Sequence, residues 1–147
     1  MTLDRFEVLS HTADKGIRAF GRDLKELFEN AAYGMFSLMA ELDKYTPTES
    51  REFAVEGADT ESLLRTWLAE LVYQFEVDRI LFVDFEVRTI EDCRLEGIAH
   101  GLPFNPNIEW LGSSVKAVTH HDLYVHRTDE RPRGVEGKWE AQVIFDV

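Results

Sequence analysis

The sequence contains a single cysteine, Cys93. No intrachain disulfide can form, and a thiolate-rich zinc site is excluded. Cys93 falls at an expected turn between strands and reads as structural. Apolar runs are short. None approaches the roughly 18 residues of a spanning helix, and the first residues lack the apolar centre of a secretion signal. These absences lead us to expect a cytoplasmic protein with no membrane contact. Positive charge is also scarce: 16 Lys and Arg stand against 28 Asp and Glu, for a net charge of −12. Phosphate contacts depend on Lys and Arg displacing counterions, so tight direct binding to nucleic acid is not expected. A basic protein partner or a metal ion suits this balance better. There is no Walker-type loop or dinucleotide fingerprint, and Gly97, Gly101 and Gly112 have the wrong spacing for either.

The remaining features describe one domain. The 147 residues are 44% hydrophobic and 30% charged, an ordinary globular balance in a chain long enough to bury a core without a disulfide or metal. Residues 5–9 and Ile17 to Phe20 are expected strands joined by a turn over 10–16. Leu24, Leu27, Phe28, Ala31, Ala32, Met35, Phe36, Met39 and Leu42 recur at helical spacing and predict a helix over 24–43. Asp23 and Glu26 supply a capping-box-like start. Gly34 inside this stripe costs about 1 kcal/mol against Ala and marks close packing. Phe53 and Val55 suggest a short strand, and Asp59 caps a second helix of about 60–76. Its stripe includes Leu63, Leu64, Trp67, Leu68, Leu71, Val72 and Phe75. Period-2 strands follow at 80–90 and 93–100, joined by Glu91-Asp92. Residues 103–112 read as an irregular connection, and strands are expected at Val115–Thr119, Leu123–Arg127 and Trp139–Phe145. A polar loop covers 128–138. The order ββαβαβββββ predicts an α+β fold, with two amphipathic helices on a mostly antiparallel sheet.

Few residues have the chemistry of a site. His120 and His121, if on a strand, point to opposite faces, and His120 and His126 are about 20 Å apart on an extended strand. A histidine-based zinc site is therefore poorly supported. His100 has no partner that sequence alone names. Carboxylates say more. Asp14 falls in the expected turn His11-Thr12-Ala13-Asp14, and Asp146 is the penultimate residue, beside the α-carboxylate of Val147. If the fold brings Asp14 to residues 146–147, three anions converge. Hard cations want such oxygens. Two unit charges about 5 Å apart repel by roughly 3 kcal/mol at an effective dielectric near 20, and a cation would relieve this. The plainer reading makes Asp14 a turn-forming residue and Asp146 a solvated terminus.

A family resemblance bears on that choice. His11-Thr12-Ala13-Asp14, continued by Gly16-Ile17-Arg18-Ala19-Phe20-Gly21, is similar to the opening signature of the archease family. Leu27-Phe28-Glu29-Asn30-Ala31-Ala32 with Met35-Phe36 resembles its first helix, and Leu63-Leu64, Trp67-Leu68 and Glu70-Leu71 its second. Val115-Lys116-Ala117-Val118-Thr119, then His121, and the ending Val143-Ile144-Phe145-Asp146-Val147 resemble its last motifs. The resemblance implies an accessory protein, not an enzyme. It would activate an RtcB-type RNA ligase in tRNA splicing and RNA repair by speeding ligase guanylylation, sustaining multiple turnover and widening nucleotide use. It also implies a divalent-cation site, calcium in the first place and Mg²⁺ or Mn²⁺ otherwise, at Asp14, Asp146 and the Val147 carboxylate. Two departures stand near it. Lys15 replaces a usual apolar residue, and His120 a common Tyr. The competing reading is a metal-dependent hydrolase using Asp14 and Asp146, with His11 as base.

Overall fold

A computed structural model describes residues 5–10, 14–128 and 139–147. The expected loop over 128–138 therefore lies, from residue 129 on, outside the described residues, as do His11, Thr12 and Ala13.

Strands β1 (Phe6–Ser10) and β2 (Asp14–Gly21) open the chain, followed by helix α1 (Leu24–Ser37). Asp23 Oδ1 accepts the Glu26 N–H at 2.8 Å. Glu26 answers one residue further back than in a capping box, accepting the Arg22 N–H at 3.0 Å. The helix ends at Ser37, six residues before the expected 43. Its last turn tightens, with the Leu38 N–H on Met35 O and the Met39 N–H on Phe36 O. Met39 and Leu42 remain buried beyond the helix, Leu42 in a 3₁₀ turn (Leu42–Lys44), so the apolar spacing outruns the helical backbone.

β3 (Glu49–Glu56) and α2 (Thr60–Asp78) come next. Asp59 caps α2 through the Ser62 N–H at 2.8 Å, as expected. β4 (Ile80–Glu91) and β5 (Arg94–Pro103) form a hairpin. Its turn is Asp92-Cys93, one residue later than read from sequence, and both residues have positive φ (53° and 57°), the geometry of a type I′ turn. β6 shrinks to Ala117–Val118, β7 is Tyr124–Arg127, and β8 is Trp139–Asp146.

The element order is the expected one, and every described strand pairing is antiparallel. The strands divide between two sheets. One runs β1-β2-β8-β6 with β7 also on β8, and the other runs β3-β5-β4. Helix α1 packs on β2 from the first and β4 from the second, joining the two. Gly34 permits this approach: a Cβ there would sit 2.9 Å from Phe6 Cγ and 3.0 Å from Ile17 Cδ1. Trp67, fully buried on α2, donates its indole N–H to Phe28 O of α1 at 3.1 Å. Phe36 packs against Phe75, Phe82 and Phe85 with centroids 5.6–5.8 Å apart, so one aromatic core serves both layers.

Candidate metal centre

Ile17 and Ala19 alternate along β2 toward α1, as do Val143 and Phe145 along β8, and all four are fully buried. This alternation fixes the β2–β8 register, because a one-residue slip would turn the buried set outward. The register runs from Gly21↔Trp139 to Asp14↔Asp146. Gly16 lies within it opposite Ile144, where a Cβ would fall 2.6 Å from Ile144 Cδ1 and 2.9 Å from Val143 O.

Both aspartates are thus strand residues. Asp14 is the first residue of β2 and not part of a turn, and Asp146 is the last residue of β8 rather than lying past it. The ladder itself draws them in. Asp146 is held from its other side as well, opposite Ala117 of β6, with its carbonyl accepting the Lys116 N–H at 2.8 Å. Directly opposed residues project side chains to the same face with Cβ atoms about 4.5–5.5 Å apart. Asp14 is half-buried and Asp146 exposed.

Like charges directly opposed on a sheet destabilise it. Among the described residues no hydrogen bond or ion pair reaches either carboxylate. Lys15, the nearest cation in sequence, does not neutralise them. It alternates to the other face of β2, and its ammonium donates to Ser113 Oγ at 2.7 Å. Among the described residues the pair is therefore left uncompensated. Two adjacent carboxylates with no cationic partner among the described residues fit a hard divalent cation. Among the described residues no group of three or more His, Cys, Asp and Glu side chains is placed to hold a metal ion. A cation at Asp14 and Asp146 thus needs further oxygens. Val147, next along the chain, packs its side chain on the core.

The histidines behave otherwise. His120 and His121 lie in the turn after β6, not on a strand, so the opposite-faces argument does not apply. His121 Nε2 is 3.1 Å from Asp122 Oδ2 at the surface. His126 stacks on Tyr124 with centroids 4.6 Å apart, and His100 Nδ1 meets Ser50 Oγ across the β3–β5 ladder at 2.7 Å. Burial, and then the hydrogen bond from its hydroxyl to Glu140, push Tyr124 up to about 12. Burial and a 2.6 Å bond to Asp43 do the same to Tyr33. Both tyrosines stay protonated and structural. His11, the base of the hydrolase reading, lies outside the described residues, and nothing among those described favours that reading.

The Archease protein family model matches residues 6–147. This chain belongs to that family. The archease of Methanosarcina acetivorans is 37% identical over 97% of this chain and 96% of its own length. The archease of Sulfurisphaera tokodaii is 41% identical over 84% of this chain and 89% of its own. The solution structure of Methanobacterium thermoautotrophicum protein 1598 superposes with a TM-score of 0.82 at 36% identity, covering 97% of this chain and 99% of that one. A Thermotoga maritima crystal structure, described as an archease and possible chaperone, has a TM-score of 0.60 at 19% identity and covers 95% and 94%. That last likeness concerns fold alone. Among the described residues no helix is long and apolar enough to cross a membrane.

Proposed function

We propose that this archease-family protein is a cytoplasmic accessory factor that activates an RtcB-type RNA ligase in tRNA splicing and RNA repair. It promotes ligase guanylylation and repeated turnover, widens nucleotide use, and catalyses no ligation itself. The observation that carries the reading is the Asp14↔Asp146 pair within a chain of this family. A divalent cation, calcium or else Mg²⁺ or Mn²⁺, bound by Asp14, Asp146 and the Val147 carboxylate would turn two repelling carboxylates into an ordered, less negative surface. The net charge of −12 supports attraction to a ligase whose RNA-holding surface is basic.

The test is single-turnover formation of the ligase–guanylate intermediate with a cognate RtcB-type ligase. Adding this protein with a divalent cation should speed the step and allow more than one product per ligase. Unchanged guanylylation and turnover at saturating protein would overturn the proposal.

A further inference from the structure

Asp14 and Asp146 form the last rung of the β2–β8 ladder. End rungs fray, because nothing further along the ladder holds them. A cation shared by two carboxylates needs their spacing fixed, so whatever braces this rung bears on the cation site. Among the described residues the bracing contacts come from one segment, residues 111–118, which ends in β6.

The segment is itself firmly seated. Leu111 N–H donates to Met39 O at 2.8 Å, just past the end of α1. Val115 is fully buried, and its N–H meets Met39 Sδ at 3.5 Å. Between these two anchors Gly112 has a φ of +96°, in the region that favours glycine. The bend leads into Ser113, whose hydroxyl accepts from the Lys15 ammonium at 2.7 Å. Lys15 directly follows Asp14 and projects to the opposite face of β2, so this bond holds the strand without entering the face that carries the carboxylates. Further along, Lys116 N–H donates to Asp146 O at 2.8 Å, and Ala117 pairs with Asp146. The start of β2 is held through a side chain and the end of β8 through the backbone, both from the same segment.

Resting on the divalent-cation reading of the aspartate pair, we propose that Lys15 and Ser113 are positioning residues for that site. Their hydrogen bond ties the start of β2 to the segment that already holds the end of β8, so Asp14 and Asp146 keep one spacing. Neither side chain touches the cation. Lys15 has two opposed effects on it: the ammonium repels a nearby cation, and the bond to Ser113 steadies the strand that carries a ligand. Half-buried Ser113 is uncharged and has only the second effect, which makes the two separable.

Calorimetric calcium titration reads the brace without the ligase. Ser113→Ala should weaken calcium binding about tenfold, the low end of what losing a ligand's support costs, and Ser113→Thr, which keeps the hydroxyl, should restore it. Lys15→Met removes both effects in the wild type but only the repelling charge in Ser113→Ala. The same change should thus lower affinity about tenfold more in the first background than in the second. Another readout needs no metal. In chelator the Lys116 amide should exchange with solvent faster in Ser113→Ala than in wild type, while the Ala19 amide, inside the β2–β8 ladder, keeps its rate. General destabilisation would speed both and count against the brace. Wild-type calcium affinity in Ser113→Ala, or additive effects of the two substitutions, would overturn the brace and leave the cation site and the accessory reading standing. A wild type that binds none of calcium, Mg²⁺ and Mn²⁺ would remove the cation site and the brace with it.

Discussion

Glu29 of α1 reaches across to β4 and accepts the Val87 backbone N–H at 2.8 Å. The β4–β5 register shifts between Val87 and Thr89, so this carboxylate satisfies a donor at an irregularity of the ladder and fastens α1 to the second sheet.

Burial raises the Glu29 pKa above its ordinary 4.5, with the Val87 N–H opposing part of that shift. Between 4.5 and the higher folded value, the native state holds more proton than the unfolded chain. Its contribution therefore favours the native state at low pH and declines as pH rises through that window. Glu29→Gln keeps an acceptor for Val87 and removes the titration. Its melting temperature should fall less than that of the wild type from pH 4.5 to 7, read by circular dichroism; parallel curves would contradict this. Glu29→Ala leaves the buried N–H unpaired and should cost about 1–3 kcal/mol.

Gly34 tests how tightly α1 lies on the first sheet. Alanine would gain about 1 kcal/mol of helix propensity at an open position. Here its Cβ meets Phe6 Cγ at 2.9 Å and Ile17 Cδ1 at 3.0 Å, and neither is the free end of an exposed chain. Gly34→Ala should therefore be net destabilising, by about 1 kcal/mol after the propensity gain. A higher urea midpoint for the variant would show that β1 yields easily.

Nucleic acid offers a separate check. With 16 basic residues against 28 acidic ones, the protein alone should not shift tRNA halves in a gel at physiological salt. RNA dependence should appear only with the ligase present. A tight, salt-sensitive shift by the isolated protein would count against a purely accessory role.

Periodicity located the helices because their apolar stripes are long, and α2 agrees within two residues at its end. It overran α1 because Met39 and Leu42 stay buried after the backbone has left the helix, and burial alone sets the pattern. The strand status of Asp14 was not legible. Nothing in His-Thr-Ala-Asp announces that β8, over a hundred residues away, pairs with it. Locally the segment carries turn-forming chemistry, and the long-range ladder prevails. For the same reason sequence could name both aspartates but not oppose them. The division into two sheets was hidden too, since short strands in series do not reveal which neighbours they pair with.

The aspartate pair should show its repulsion directly. In chelator, Asp14→Asn or Asp146→Asn should raise the melting temperature, because a neutral amide replaces one of two opposed charges. With excess calcium the order should reverse. The wild type gains stability by about RT ln(1 + [Ca²⁺]/Kd), roughly 2.7 kcal/mol at a hundredfold excess over Kd, and the variants gain little. Each variant should also lose most stimulation of the ligase while folded. Equal calcium-induced shifts in all three proteins would dissociate the pair from metal binding.

The third proposed ligand can be tested without changing a side chain. The family match runs to Val147, whose side chain packs on the core beside Asp146. Such packing would keep a terminal carboxylate at Val147 near the pair. Extending the chain beyond Val147 converts that carboxylate into a neutral amide carbonyl, a weaker donor for a hard cation. Amidating Val147 makes the same change without added bulk. Both should weaken calcium binding in calorimetry and lower the stimulation of the ligase, while an N-terminal tag of the same length should do neither. If amidated and unmodified protein bind calcium equally, the cation takes its remaining oxygens elsewhere, and Asp14 and Asp146 alone carry the protein's side-chain contribution.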